Sequence, residues 1–192
     1  MFFPTLPSGR ADYASVFVPN TTIHAGGNAP TLLTDLRDIG PFVARIIADP
    51  RTLNQSVFTW SDLMSENEIF AMMEEMSGET ITRTYMSAED IEAAIARVKE
   101  AIRKDPNNLP VALALVPLQY NLSRTVRGDN QPEYAKYLGY LDSRDLYPDF
   151  EPRSFKSFVS EVLEGKAERA YNNNSSVFEQ LKKGMMEMGV TL

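Results

Sequence analysis

The side chains of this 192-residue chain that could move protons or hold a metal are few, and their spacing excludes most chemistry. There is one histidine, His24, and no cysteine. A histidine triad, an H-E-x-x-H zinc site, a thiolate metal centre and a cysteine nucleophile are therefore ruled out by inventory. A lone imidazole beside the Gly26-Gly27 pair reads first as a structural or solvated residue and only second as a base. The carboxylate pairs Glu74-Glu75 and Glu89-Asp90 fall on expected helix faces and caps, where solvated charge is their ordinary role. A tyrosine four residues before a lysine could have its phenol pKa lowered for proton delivery, but none of the eight tyrosines has lysine at that distance. No two of the ten glycines stand two apart, so neither the G-x-G-x-x-G turn of a dinucleotide site nor a phosphate-binding P-loop is present. The methionine runs at Met72–Met76 and Met185–Met188 suit core filling or an interaction stripe. The residue types alone single out no catalytic centre and no metal ligands.

The composition limits the partners as well. With 43% hydrophobic and 23% charged residues the chain can bury a substantial core, and its length suits one good-sized domain with at most a small appendage. A formal net charge of −7 argues against nucleic acid, because phosphate binding needs clustered Lys and Arg. The opening "MFFPTLPSGR" lacks a basic region before its short apolar run, so neither a signal peptide nor a membrane span is expected and a cytoplasmic location follows by default. The Asn-x-Ser/Thr triplets at Asn20, Asn54, Asn121, Asn173 and Asn174 then carry no weight.

Elements that could position a site are readable from periodicity. The first thirty or so residues read as loop and strand, with "TTIHAGGN" a short β-prone run closing on a Gly-Gly turn. Asp38 is the expected N-cap of a helix through "IGPFVARIIA", with Pro41 in its first turn and Phe42, Val43, Ile46 and Ile47 as its core-facing stripe. "QSVFTW", 55–60, reads as a strand. Ser65 and Glu68 form a capping box for a helix with Ile69, Met72, Met73 and Met76 inward and Gly78 as its stop. Ser87 opens a longer helix with acidic residues first, basic residues last, and Ile91, Ile95, Val98 and Ile102 inward. The run 109–126 is apolar on most sides and predicts a buried helix kinked at Pro117. "PEYAKYLGYL" reads as a short aromatic helix and "RDLYPDFEP" as a loop. Ser154 caps a helix carrying Phe155, Phe158, Val159, Val162 and Leu163. "NNNSS" is a polar linker before a weak amphipathic tail interrupted by Gly184. Two strands and about six helices fall short of an ordinary sheet, so the pattern is that of part of a larger α/β architecture or a helix-rich domain with a small sheet.

Several of these blocks, in this order, resemble one family. "FFPTL" (2–6), "DIG" opening a helix with "DPRTLN" after it, "SENEIFAMMEEMSGETI" (65–81), "VRGDN" (126–130) and "LYPDFEPRSFKSFV" (146–159) are similar to segments in the C-terminal half of the NmrA-like and isoflavone-reductase-like family, atypical short-chain dehydrogenase/reductases. Each block alone is weak, and their colinear order carries the resemblance over about 2–171. It implies an α/β fold class: the C-terminal, substrate-domain portion of an atypical Rossmann-fold reductase, helix-rich with a small sheet. The corresponding division is 1–171 as the substrate-binding portion and 172–192 as linker and tail.

The family resemblance further implies NADP(H) as cofactor and reduction of a small aromatic or polyketide-like metabolite. The family's glycine-rich turn and catalytic lysine belong to its N-terminal half and would precede residue 1, so no catalytic or cofactor-binding residue can be assigned here. Matching the family's substrate cleft are Phe2, Phe3 and Pro4, together with Gln119 and Tyr120 on the helix that ends in "RGDN". The competing role for these aromatics is core packing. Two other readings stay open: a non-catalytic interaction or regulatory protein, in which a protein partner or a second copy covers exposed sheet surface, and a cofactor-independent cyclase or isomerase using the cleft alone.

Overall fold

The computed structural model describes residues 3–15, 20–168, 180, 183–184 and 186–188. Among them, six short strands pair two by two. β1 (Thr22–His24) runs parallel to β5 (Thr84–Met86), β2 (Thr31–Leu33) antiparallel to β4 (Asp62–Met64), and β3 (Val57–Phe58) parallel to β6 (Leu141–Asp142). Only β1 and β3 match sequence-predicted strands. The other four are two or three residues long, too short to display an alternation.

The helices are α1 (Leu36–Ala48), α2 (Glu66–Ser77), α3 (Ala88–Lys104), α4 (Leu109–Asn121), α5 (Pro132–Tyr137), α6 (Ser143–Leu146) and α7 (Phe155–Leu163). The boundaries of α2, α3 and α7 follow the capping chemistry. Ser65 accepts from the Glu68 amide while Glu68 reaches back to the Ser65 amide, and Ser87 and Asp90 do the same for α3. Gly78 ends α2 in the left-handed conformation, φ 73°. Short α6, capped by Asp142, replaces the start of the loop expected at 144–152.

Two apolar clusters hold these elements. One gathers Phe3, Leu6 and Ile23 against Ile69, Phe70 and Met73 of α2 and Phe155, Val159 and Val162 of α7. The other packs Ile91, Ala94, Ile95 and Val98 of α3 against Val111, Ala114 and Leu118 of α4, with Met188 of the tail beside them.

Two expectations need correction. Asp38 is not the cap of α1. Asp35, in extended backbone, accepts from the Arg37 amide at 2.9 Å and starts the helix three residues earlier. Asp38 is thereby carried into the first turn and buried, where it accepts from the Arg153 amide at 2.6 Å and pairs with the Arg153 guanidinium. Pro41 consequently sits inside the helix, leaving the Arg37 carbonyl without its intrahelical donor. Of the expected inward stripe only Phe42 is buried; Val43 and Ile47 face outward. The second correction concerns α4. It continues beyond Asn121 as a π-helical stretch, Leu122–Arg127, and its burial is one-sided, because Leu109 and Val116 are exposed.

Candidate functional site

The chemistry-bearing residues converge at one place, the end of β1. Ala25, Gly26 and Gly27 all take positive φ, which turns the chain over the start of α2. A Cβ at Gly27 would lie 2.5 Å from Ile23 Cγ2 and 2.9 Å from Asn67 Oδ1, so only glycine fits there. The Asn67 amide fastens the turn by donating to the Gly26 carbonyl at 2.9 Å. This brings His24 onto Glu66, the first residue of α2. The Glu66 carboxylate accepts from the His24 amide at 2.6 Å and lies 3.0 Å from His24 Nδ1.

Helix α4 closes the cluster from the other side. Asn121 Nδ2 is 3.0 Å from His24 Nε2, and Arg124, in the π-helical stretch, donates to Glu66 Oε1 at 2.5 Å and to Asn121 Oδ1 at 3.3 Å. All four residues are buried. Burial of Glu66 opposes its ionisation, but the hydrogen bond from His24 and the Arg124 charge overcome it and hold the carboxyl below its ordinary value. A guanidinium has donors only, so the Asn121 oxygen must face Arg124 and its NH2 group must face His24. Nε2 is then an acceptor and Nδ1 carries the proton toward Glu66. His24 is a neutral ring with both nitrogens engaged, a cross-link between β1, α2 and α4, not a base open to substrate. Sequence inspection separated these residues. The available signal was Asn121 and Arg124 at helical spacing on a largely apolar run.

The residues matched to a substrate cleft fall in two places. Phe3 lies in the first apolar cluster, its ring 5.6 Å from that of Phe158 in an edge-on arrangement and 6.1 Å from that of Phe155. It is enclosed by the protein, 1% exposed, and therefore acts through packing rather than by touching a ligand. Pro4 is likewise buried, and Phe2 lies outside the described residues. Gln119 and Tyr120 sit on the outer face of α4, next to exposed Val116 and about two turns before the RGDN segment. That segment is rigidly tied. Gly128 takes φ 69°, Asp129 accepts from Ser123 Oγ at 2.8 Å and pairs with Arg127, and Asn130 accepts through its carbonyl from the Leu32 amide at 3.1 Å. The Ser123 hydrogen bond, more than the Arg127 guanidinium, holds the Asp129 carboxyl below its usual range.

The residues present do not make the glycine turn of a dinucleotide site: no two glycines stand two apart, and in the Gly26-Gly27 pair the space beside Gly27 is filled by Ile23 and Asn67, while only the Asn28 amide lies near Gly26. Among the described residues no group of three His, Cys, Asp or Glu could hold a metal ion, and no helix is long and apolar enough to cross a membrane.

Comparison with known proteins places this geometry in a family. No protein-family model matches the chain. The asnovolin J 5′,6′-dehydrogenase of Aspergillus novofumigatus is 40% identical over 164 residues, 84% of this chain and 50% of that protein. The phenylcoumaran benzylic ether reductase TP7 of Nicotiana tabacum is 29% identical over 143 residues, 73% of this chain and 42% of that protein. Among solved structures, the complex of leucoanthocyanidin reductase with NADPH from Vitis vinifera superposes with a TM-score of 0.62 at 22% identity, over 79% of this chain and 48% of that one. The chain spans about half the length of the curated relatives it matches. The colinear blocks, the shared fold and these relatives agree: the chain's homologues are isoflavone-reductase-like, NmrA-like proteins, and the chain is similar to about half of such a Rossmann-fold reductase, consistent with its C-terminal portion.

Proposed function

We propose that the chain forms the substrate-binding portion of an NADPH-dependent reductase acting on a small aromatic or polyketide-like metabolite. The observation that carries this reading is the 40% identity to asnovolin J 5′,6′-dehydrogenase across 84% of the chain. Gln119 and Tyr120 are the substrate-contacting residues on this reading. The Tyr120 ring offers an apolar face with a polar tip, and the Gln119 amide can both donate to and accept from an oxygenated ligand. The His24–Glu66–Asn121–Arg124 cluster fixes the helix that presents them. On this reading the glycine-rich turn that holds NADP(H) belongs to the portion of the relatives that this chain does not match, since no two glycines here stand two apart.

The test is turnover. The chain is joined behind the part of asnovolin J 5′,6′-dehydrogenase that it does not match, and NADP(H)-linked turnover is followed with asnovolin J and with simpler aromatic carbonyl compounds. Turnover that falls on substitution of Tyr120 supports the reading. A fusion that binds NADPH yet converts none of them refutes it.

A further inference from the structure

The sequence pattern makes Gly184 an interruption in a weak amphipathic tail, but the structure gives that glycine a contact. A helical turn closes there, with the Met188 amide donating to the Gly184 carbonyl at 3.1 Å. Gly184 is buried, and a Cβ on it would overlap the Pro110 carbonyl and lie 3.0 Å from the Val111 nitrogen. Tail backbone thus meets the backbone of the first turn of α4, and any side chain at 184 forces the two apart. Four residues on, Met188 packs against the cluster that α3 and α4 share; four residues before, Gln180 is half-buried. Positions 180, 184 and 188 fall on one helix face, the covered one. Lys183, Met186 and Glu187 are exposed, Met186 by 81%, and Lys183 pairs with Glu187 at 3.9 Å. Glycine is a poor helix former, so in an undocked turn alanine would strengthen the helix. Here it would break a contact.

Helix α4 has an anchor at its far end and needs another at this one. Asn121 and Arg124 fix the far end in the buried cluster with His24 and Glu66. Between the ends, Pro117 has no amide for the Leu113 carbonyl, which weakens the link between the two halves of the helix. In the first half Leu109 and Val116 are exposed, while Val111 and Ala114 face α3 in the shared cluster. Besides α3 and the α4 chain itself, only Met86 of β5 and Met188 of the tail join that cluster among the described residues. The blocks that resemble the reductase family end by 171, so this tail contact is not a feature those blocks carry.

We infer that Gly184 and Met188 clamp the first half of α4 and are positioning residues for the helix that carries Gln119 and Tyr120. The clamp stands on the contacts alone. Its effect on a substrate rests on reading the chain as the substrate-side portion of a reductase.

Amide hydrogen exchange on the 192-residue chain tests the clamp. Gly184→Ala speeds exchange of the Ala112 to Leu115 amides at least about fivefold, while Met186→Ala, on the outer side of the same turn, leaves it unchanged. Met188→Ala removes the packing without adding bulk, shifts exchange in the same direction, and keeps the test readable if Gly184→Ala misfolds. Unchanged exchange in α4 for Gly184→Ala and Met188→Ala overturns the inference. So does slower exchange of the Met188 amide in Gly184→Ala, the response of an undocked turn that has gained a better helix former. In the fusion described above, Gly184→Ala raises KM about threefold with kcat held, the split expected when a binding wall shifts and the reacting groups do not. A loosened α4 with KM unchanged overturns the positioning role. A fusion that binds NADPH yet turns nothing over counts against the proposed function, and the exchange rates in α4 still decide the clamp.

Discussion

His24 Nδ1 lies 3.0 Å from Glu66 Oε1, with the two side chains only 5% and 8% exposed, and Arg124 reaches the same oxygen at 2.5 Å. Two donors from distant segments thus share one buried carboxylate, and neither has another anion beside it in the cluster. Glu66→Gln leaves the Arg124 guanidinium buried without a counter-charge, which costs about 3 kcal/mol of folding stability. Arg124→Met in the Glu66→Gln background restores part of that loss, since it removes the stranded charge. A double-mutant cycle in urea checks both, and equal stability of Glu66→Gln and the unsubstituted chain would contradict the buried pair.

Acid sensitivity follows from the same carboxylate. Its folded-state pKa is depressed below the ordinary 4.5, so the unfolded chain binds more protons in that region. The stabilisation from Glu66 is complete above about pH 4.5 and is lost as pH falls through the folded value. Denaturation midpoints measured between neutral pH and pH 3 should drop more steeply for the unsubstituted chain than for Glu66→Gln. Parallel curves would show that Glu66 titrates normally.

Gly27 and Gly78, two of the left-handed glycines, separate strain from crowding. Both have φ near 70°, yet a Cβ at Gly27 meets Ile23 and Asn67 while nothing lies within 4 Å at Gly78. Gly78→Ala costs about 1 kcal/mol for the left-handed backbone alone, and Gly27→Ala costs about 3 kcal/mol through added overpacking. Thermal melting of both variants measures the difference, and equal losses would mean that the β1 turn can relax.

How far this was legible in the sequence depended on how local the cause is. The capping boxes at Ser65 and Ser87 and the stop at Gly78 involve residues within a turn of one another, so α2 and α3 emerged with their faces correct. The start of α1 was misplaced because two aspartates compete for it, and Asp38 is claimed by Arg153, 115 residues away. The stripe of Phe42, Val43, Ile46 and Ile47 on α1 reads as core-facing, but only Phe42 is buried, because the side that a helix turns inward depends on what packs there. The lone His24 reads as structural or solvated, and the structure buries it in a hydrogen-bonded cluster. Its partners were invisible because Glu66, Asn121 and Arg124 meet it only through tertiary packing.

The residues matched to a substrate cleft should divide by burial. Phe3→Ala empties a site between Phe155 and Phe158 and costs about 4 kcal/mol of stability. Tyr120→Ala on the outer face of α4 changes stability by less than about 1 kcal/mol, and in the fusion it raises KM by roughly tenfold through lost contact area. Steady-state kinetics with parallel melting curves distinguish the two. An unchanged KM for Tyr120→Ala would remove it from the substrate wall.

The central claim is that these 192 residues carry the substrate side of a reductase and no nucleotide site of their own. Calorimetric titration of NADPH into the isolated chain tests it most directly. The glycine spacing and the filled space beside Gly27 predict no saturable heat. Micromolar, stoichiometric binding would contradict the account.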